Sequence, residues 1–173
     1  NDHPVQSRED TNHDGKIERL VHLDRGTVVR IEEDTSGNEK MDTWSYFEKK
    51  ELVRKEIDKN HDGRADVVGE YRNGHLVEQQ EDTNRDGKKD RFLEFHQGRL
   101  AKREESTQHN GKIDLVEIFV GEDLWKRFKD TETNGRLDTM YIFEKKQLVL
   151  QETDTTGDGI FDQRTLYSNG AAV

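Results

Sequence analysis

Short runs of alternating apolar and polar residues recur along the chain with a period of 24. Units start at residues 10, 34, 58, 82, 106, 130 and 154 with no insertion between them, and residues 1–9 read as a partial preceding unit with Val5 at the place of Val29. Counting each start as position 1, position 11 holds Leu20, Trp44, Val68, Phe92, Val116, Met140 and Arg164. Position 14 holds Leu23, Phe47, Tyr71, Phe95, Phe119, Phe143 and Tyr167. A short turn follows, for example Arg25-Gly26, Asn73-Gly74, Gln97-Gly98, Gly121-Glu122 or Asn169-Gly170. A second run then begins with Val28, Leu52, Leu76, Leu100, Leu124 or Leu148, each followed by Val29, Val53, Val77, Ala101, Trp125 or Val149.

Two β-rich runs joined by Asn-Gly, or by Gly at the first central position, read as a hairpin with a type I′ or II′ turn. The Glu-Lys-Lys segments of the second and sixth units would suit a helix, but aligned repeats share one fold. The pattern therefore predicts an all-β protein, a solenoid-like array of seven 24-residue β-hairpin repeats linked by acidic loops, in one domain over residues 1–173. A register this strict is what stacked units require, because each packs on its neighbours. The stripe of rings at position 14 reads as the shared core of the stack.

Each unit opens on Asp-x-Asn-x-Asp-Gly-x-x-Asp or a variant of it. Oxygen donors fall at positions 1, 3, 5 and 9, glycine at 6 permits a sharp bend, and a backbone carbonyl is available at position 7. This is the front of a calcium loop, and carboxylate and amide oxygens without Cys or His select a hard cation. The most complete copies are Asp10, Asn12, Asp14, Lys16 and Glu18; Asp58, Asn60, Asp62, Arg64 and Asp66; Asp82, Asn84, Asp86, Lys88 and Asp90; and Asp154, Thr156, Asp158, Ile160 and Asp162, the fourth residue of each set acting through its carbonyl. The copy with Asp130, Glu132, Asn134 and Asp138 is weaker. The copy at Asp34 has Ser36, Asn38 and Glu39, and the copy at Ser106 keeps Asp114 alone. About four calcium sites and one or two weaker ones are expected. His13, His61 and His109 at position 4 are expected to face solvent. Position 12 holds Val21, Ser45, Gly69, Leu93, Glu117, Tyr141 and Thr165, so none of the more complete loops has the closing Glu of an EF-hand, and no amphipathic helix follows, which excludes the helix pair and its opening motion; Glu32, Glu56, Glu104 and Glu152 are candidate supplements from the preceding strand.

Composition explains why an ion matters. Leu, Ile, Val and Phe make up about a fifth of the residues, close to the level at which highly charged chains stay disordered. Charged residues are 38% of the chain, the net charge is −10 and there is no Cys. A metal is the remaining common staple, and four divalent ions would remove most of the self-repulsion. The negative balance argues against nucleic acid as a partner, and no run of residues suits membrane insertion.

The loops resemble those of thrombospondin type 3 repeats and dockerins, without the Cys and Pro of the former or the helices of the latter. The whole unit, Asp-Thr-Asn-x-Asp-Gly-Lys-x-Asp…Asn-Gly-x-Leu-Val-x-x-Glu, is similar to tandem repeats of exported bacterial proteins. That resemblance implies an extracellular or periplasmic setting, with any signal peptide removed. Loops without the closing Glu should be weak, suited to sites of about 10⁻⁴–10⁻³ M outside cells.

No nucleophile elbow, phosphate loop or metal-spaced His pair is visible, so no enzyme is expected. The leading expectation is a calcium-binding structural or scaffold protein of an exported assembly. It would act with a protein partner or by self-association into fibres, the first strand of one copy completing the last hairpin of the next. The alternative is a recognition module that binds a glycan or protein through the hairpin face, with Trp44 or Trp125 exposed.

Overall fold

In a computed structural model the chain is all-β over the residues it describes, 5–173. It divides into two compact units, Asn1–Lys89 and Asp90–Val173. In the first unit β1 (Gln6–Glu9) precedes three hairpins: β2 (Arg19–Asp24) with β3 (Thr27–Glu33), β4 (Thr43–Glu48) with β5 (Glu51–Ile57), and β6 (Val67–Arg72) with β7 (His75–Glu81). The second unit holds β8 (Arg91–His96) with β9 (Arg99–Glu105), β10 (Leu115–Val120) with β11 (Asp123–Lys129), β12 (Thr139–Glu144) with β13 (Gln147–Thr153), and β14 (Gln163–Ser168) with the short β15 (Ala171–Ala172). Every hairpin begins 24 residues after the last, and all pairing is antiparallel between strands consecutive in the chain.

The turns follow the backbone demands of each dipeptide. Asn73 and Gly74 have φ of 51° and 75°, the two positive values of a type I′ turn. Lys49 and Lys50 adopt the same geometry, with φ of 50° and 72°, as do Lys145 and Lys146. Four side-chain-bearing residues thus occupy a region that L-residues visit at a cost. The stack imposes the turn, because the flanking strands must meet their neighbours in the shared register.

Each of the first six hairpins carries a bulge at one place. His22 pairs with Arg30 but Leu23 with Val28, leaving Val29 as the extra residue; the same shift recurs at Tyr46/Phe47, Glu70/Tyr71, Glu94/Phe95, Ile118/Phe119 and Ile142/Phe143. A bulge bends and twists its strand. Successive hairpins within a unit consequently pair only over the halves next to the loops, as in Arg30↔Tyr46 through Glu33↔Thr43, and diverge toward their turns.

Among the described residues only six apolar ones are buried: Val21, Val67, Val68, Leu115, Val116 and Leu150. The position 14 rings are half-buried throughout, since a sheet without a second layer leaves each face partly in water. Buried polar residues number fifteen among the described residues, and nine of them are aspartates of the loops. The densest packing therefore lies along the loop edge. Among the described residues no helix is long and apolar enough to cross a membrane.

Candidate metal centre

The loops are built from side chains that accept the backbone's own N–H groups. The position 1 carboxylate takes amides from the far side of the loop: Gly15 N–H donates to Asp10 Oδ2 at 2.9 Å, and His61 and Gly63 N–H donate to the two Asp58 oxygens at 2.7 Å each. The position 9 carboxylate takes the amides of positions 2 and 3, as Asp66 does from Lys59 (2.6 Å) and Asn60 (3.0 Å). Between them run Asx turns: Asp14 N–H to Asn12 Oδ1 at 2.9 Å, and Lys16 N–H to Asp14 Oδ1 at 2.9 Å. Positions 4 and 6 have positive φ in every loop, from His13 (64°) and Gly15 (93°) onward.

The less complete loops keep this path. In the Ser106 loop, His109 and Gly111 have φ of 54° and 80°, and Asp114 accepts Thr107 N–H at 2.9 Å. In the Asp34 loop, Asp34 accepts Gly37, Asn38 and Glu39 N–H at 2.7, 3.2 and 2.6 Å. Asx and glycine turns thus suffice to draw the backbone, whatever the donor set at positions 3 and 5.

Burial raises the proton affinity of Asp34, Asp42, Asp138 and Asp154. Hydrogen bonds donated to each outweigh it and leave all four below the usual carboxylate range. For Asp42 and Asp138 the donors include the hydroxyls of Thr35 and Thr131; for Asp34 and Asp154 they are mainly backbone amides.

Among the described residues, one group of three carboxylates converges: Asp10, Asp14 and Glu18, each with an oxygen within 4.8 Å of the others. A calcium ion lies 2.3–2.6 Å from its oxygens, so oxygens up to about 5 Å apart can share one. The donor set fits, with Asn12 as a neutral oxygen beside it. In the other complete copies Asp82 takes Arg85 and Gly87 N–H, Asp154 takes Gly157 and Gly159 N–H, and Asp162 takes Thr155 N–H. The Asn84–Asp86–Lys88 and Asp158–Ile160 Asx turns match those of the first loop. Asp130 accepts Gly135 N–H, Asn134 leans on Glu132, and Asp138 caps Thr131.

Several side chains depart from the expectation. His13, His61 and His109 are exposed as expected, but His61 and His109 each also turn toward the position 9 aspartate of the preceding loop, Asp42 at 3.9 Å and Asp90 at 3.1 Å. Glu32, Glu56, Glu104 and Glu152 serve the sheet rather than the loops. Glu32 meets His22 (2.5 Å) and Trp44 Nε1 (3.2 Å), Glu56 meets Arg54 (2.7 Å) and Tyr46 (3.2 Å), and Glu104 and Glu152 pair with Lys102 and Arg164. The position 7 side chains carry a function that the ligand pattern hides, because they bind the next loop. Lys16 pairs with Glu39 at 2.8 Å, and Arg136 donates to the Gly157 carbonyl. Arg64 lies where a Cβ on Gly87 would come within 2.6 Å of it. The recurrence of Lys or Arg at position 7 in six units is the sequence signal of these clasps.

Charge is segregated as well. The seven nine-residue loops contain nineteen acidic and nine basic residues, so the loops alone account for the net charge of −10 and the strands and turns are balanced. Comparison with protein-family models and with curated proteins finds no match, and the functional reading rests on this geometry.

Proposed function

We propose that the chain is a calcium-stabilised, non-enzymatic scaffold of an exported assembly. The observation that carries this reading is the convergence of Asp10, Asp14 and Glu18 oxygens within 4.8 Å, a set of hard oxygen donors. Two features support it. The whole net charge of −10 lies along the loops, where bound divalent ions would relieve it. Backbone amides hold Asp154 ionised, which suits cation binding and structure rather than proton transfer. The weak affinity expected of such loops favours the calcium-rich space outside the cytoplasm.

The test is calorimetric titration of the chelator-treated chain with calcium, paired with circular dichroism and thermal melting. Binding near millimolar strength, a raised melting temperature and loss of one site on Asp14→Asn are expected. Absence of binding heat together with an unchanged melting temperature would remove calcium from the function.

A further inference from the structure

The fifth unit departs from its siblings at the tip of its hairpin. Val120 is 64% exposed where the other units have Asp24, Glu48, Arg72, His96, Glu144 and Ser168. Trp125, the extra residue of the bulge, is 42% exposed where the others have Val or Ala. Lys126 covers one face of its indole at 4.3 Å. Single exposed apolar residues are ordinary. Here two stand on one projecting tip beside Glu122 and Asp123.

A receptor of matching chemistry lies in the first unit. The divergence of hairpins β2–β3 and β4–β5 opens a cleft of about 340 Å³, lined by Gly26, Thr27, Val28, Ile31, Phe47 and Lys50. It is large enough for an indole and mainly apolar, with one cation on the rim. That cation lacks a partner for a readable reason. Four units later its counterpart, Lys146, pairs with Asp123 of the adjacent hairpin at 3.3 Å. Thr27 stands where Asp123 stands, and Lys50 makes no ion pair among the described residues. Glu122 is likewise without one among them. The corresponding cleft beside Leu100 and Phe119 carries both Arg99 and Glu122 on its rim, so its charge is balanced, whereas Lys50 leaves the first cleft cationic.

We propose that the Val120–Trp125 tip of one copy seats in the Val28–Phe47 cleft of a second copy, with Glu122 against Lys50. Knob and cleft are different surfaces, so the contact is heterologous and links copies head to tail instead of closing a two-fold pair. This contact requires neither end of the chain and stands apart from the calcium reading.

Sedimentation velocity in calcium-containing buffer tests it, with circular dichroism confirming the fold of each variant. The wild-type chain should form concentration-dependent oligomers larger than dimers. Trp125→Ala should weaken association at least about tenfold, as expected of a central Trp anchor. Lys50→Glu should do the same, and Glu122→Lys provides a second tip variant on an exposed turn. Because each variant keeps one intact surface, a mixture of Trp125→Ala and Lys50→Glu should form pairs that grow no further. A wild-type chain that stays monomeric, or a mixture no more associated than its components, overturns the proposal.

Discussion

Asp42 isolates what a loop carboxylate does without an ion, because its loop lacks the donor set at positions 3, 5 and 6. Its side chain is 2% exposed. It accepts Thr35 N–H at 3.1 Å, Ser36 N–H at 3.0 Å and the hydroxyls of Thr35 and Thr43 at 2.8 and 3.1 Å. Asp42→Ala strands two backbone donors in a closed loop, whereas the hydroxyls can rotate to other acceptors. A buried donor left unpaired costs about 1–3 kcal/mol; Thr35 and Ser36 are exposed residues whose amides water partly serves, so the two together should cost about 2–3 kcal/mol. That is a large part of the roughly 5–15 kcal/mol that stabilises a typical domain. Asp42→Asn, which keeps one acceptor oxygen, should fall between. Asp14→Ala, exposed and accepting one loop amide, should cost less than about 1 kcal/mol in chelator. Urea unfolding followed by far-ultraviolet circular dichroism in EDTA gives all three values. A loss below about 1 kcal/mol for Asp42→Ala would refute the claim that position 9 caps hold the loops.

Acid should act through the same groups. Asp34, Asp42, Asp138 and Asp154 have folded pKa values below those of the unfolded chain, so their contribution is complete above the ordinary Asp value of about 3.9 and is lost as pH falls through the folded values. Urea midpoints in EDTA should be flat from neutrality to about pH 5 and then drop; stability that rises on acidification would contradict this. Replacing Lys49-Lys50 by Asn-Gly, the dipeptide of the β6–β7 turn, relieves two positive-φ side chains and should stabilise by about 1 kcal/mol, read as a higher melting temperature. Glu117 is buried and accepts Arg127 Nε at 2.7 Å while Arg103 approaches at 2.9 Å. Glu117→Ala should cost about 2 kcal/mol by urea unfolding, discounted for the partial exposure of both arginines, whereas Glu117→Leu should cost less.

The sequence alone determined the repeat, the hairpin in each unit, the place of every turn and the path of the loop. These are local properties: Asn-Gly sets a I′ turn, and Asp-x-Asn-x-Asp-Gly sets successive Asx turns, wherever they occur. The strict period even decided the Lys49-Lys50 and Lys145-Lys146 turns, which a dipeptide rule by itself would have missed. Contacts between neighbouring units were decided only by the tertiary structure. The bulge at Val29 and its counterparts opens the turn ends into clefts, and the position 7 cations reach across to the next loop. Stacking also places loop aspartates such as Asp42 and Asp66 among the best-buried of the described residues while the aromatic stripe stays half in water. Burial is a property of what lies beside a residue, and in a stack that neighbour is 24 residues away. A short-range pattern records the shape of one unit but not how closely the next one covers it.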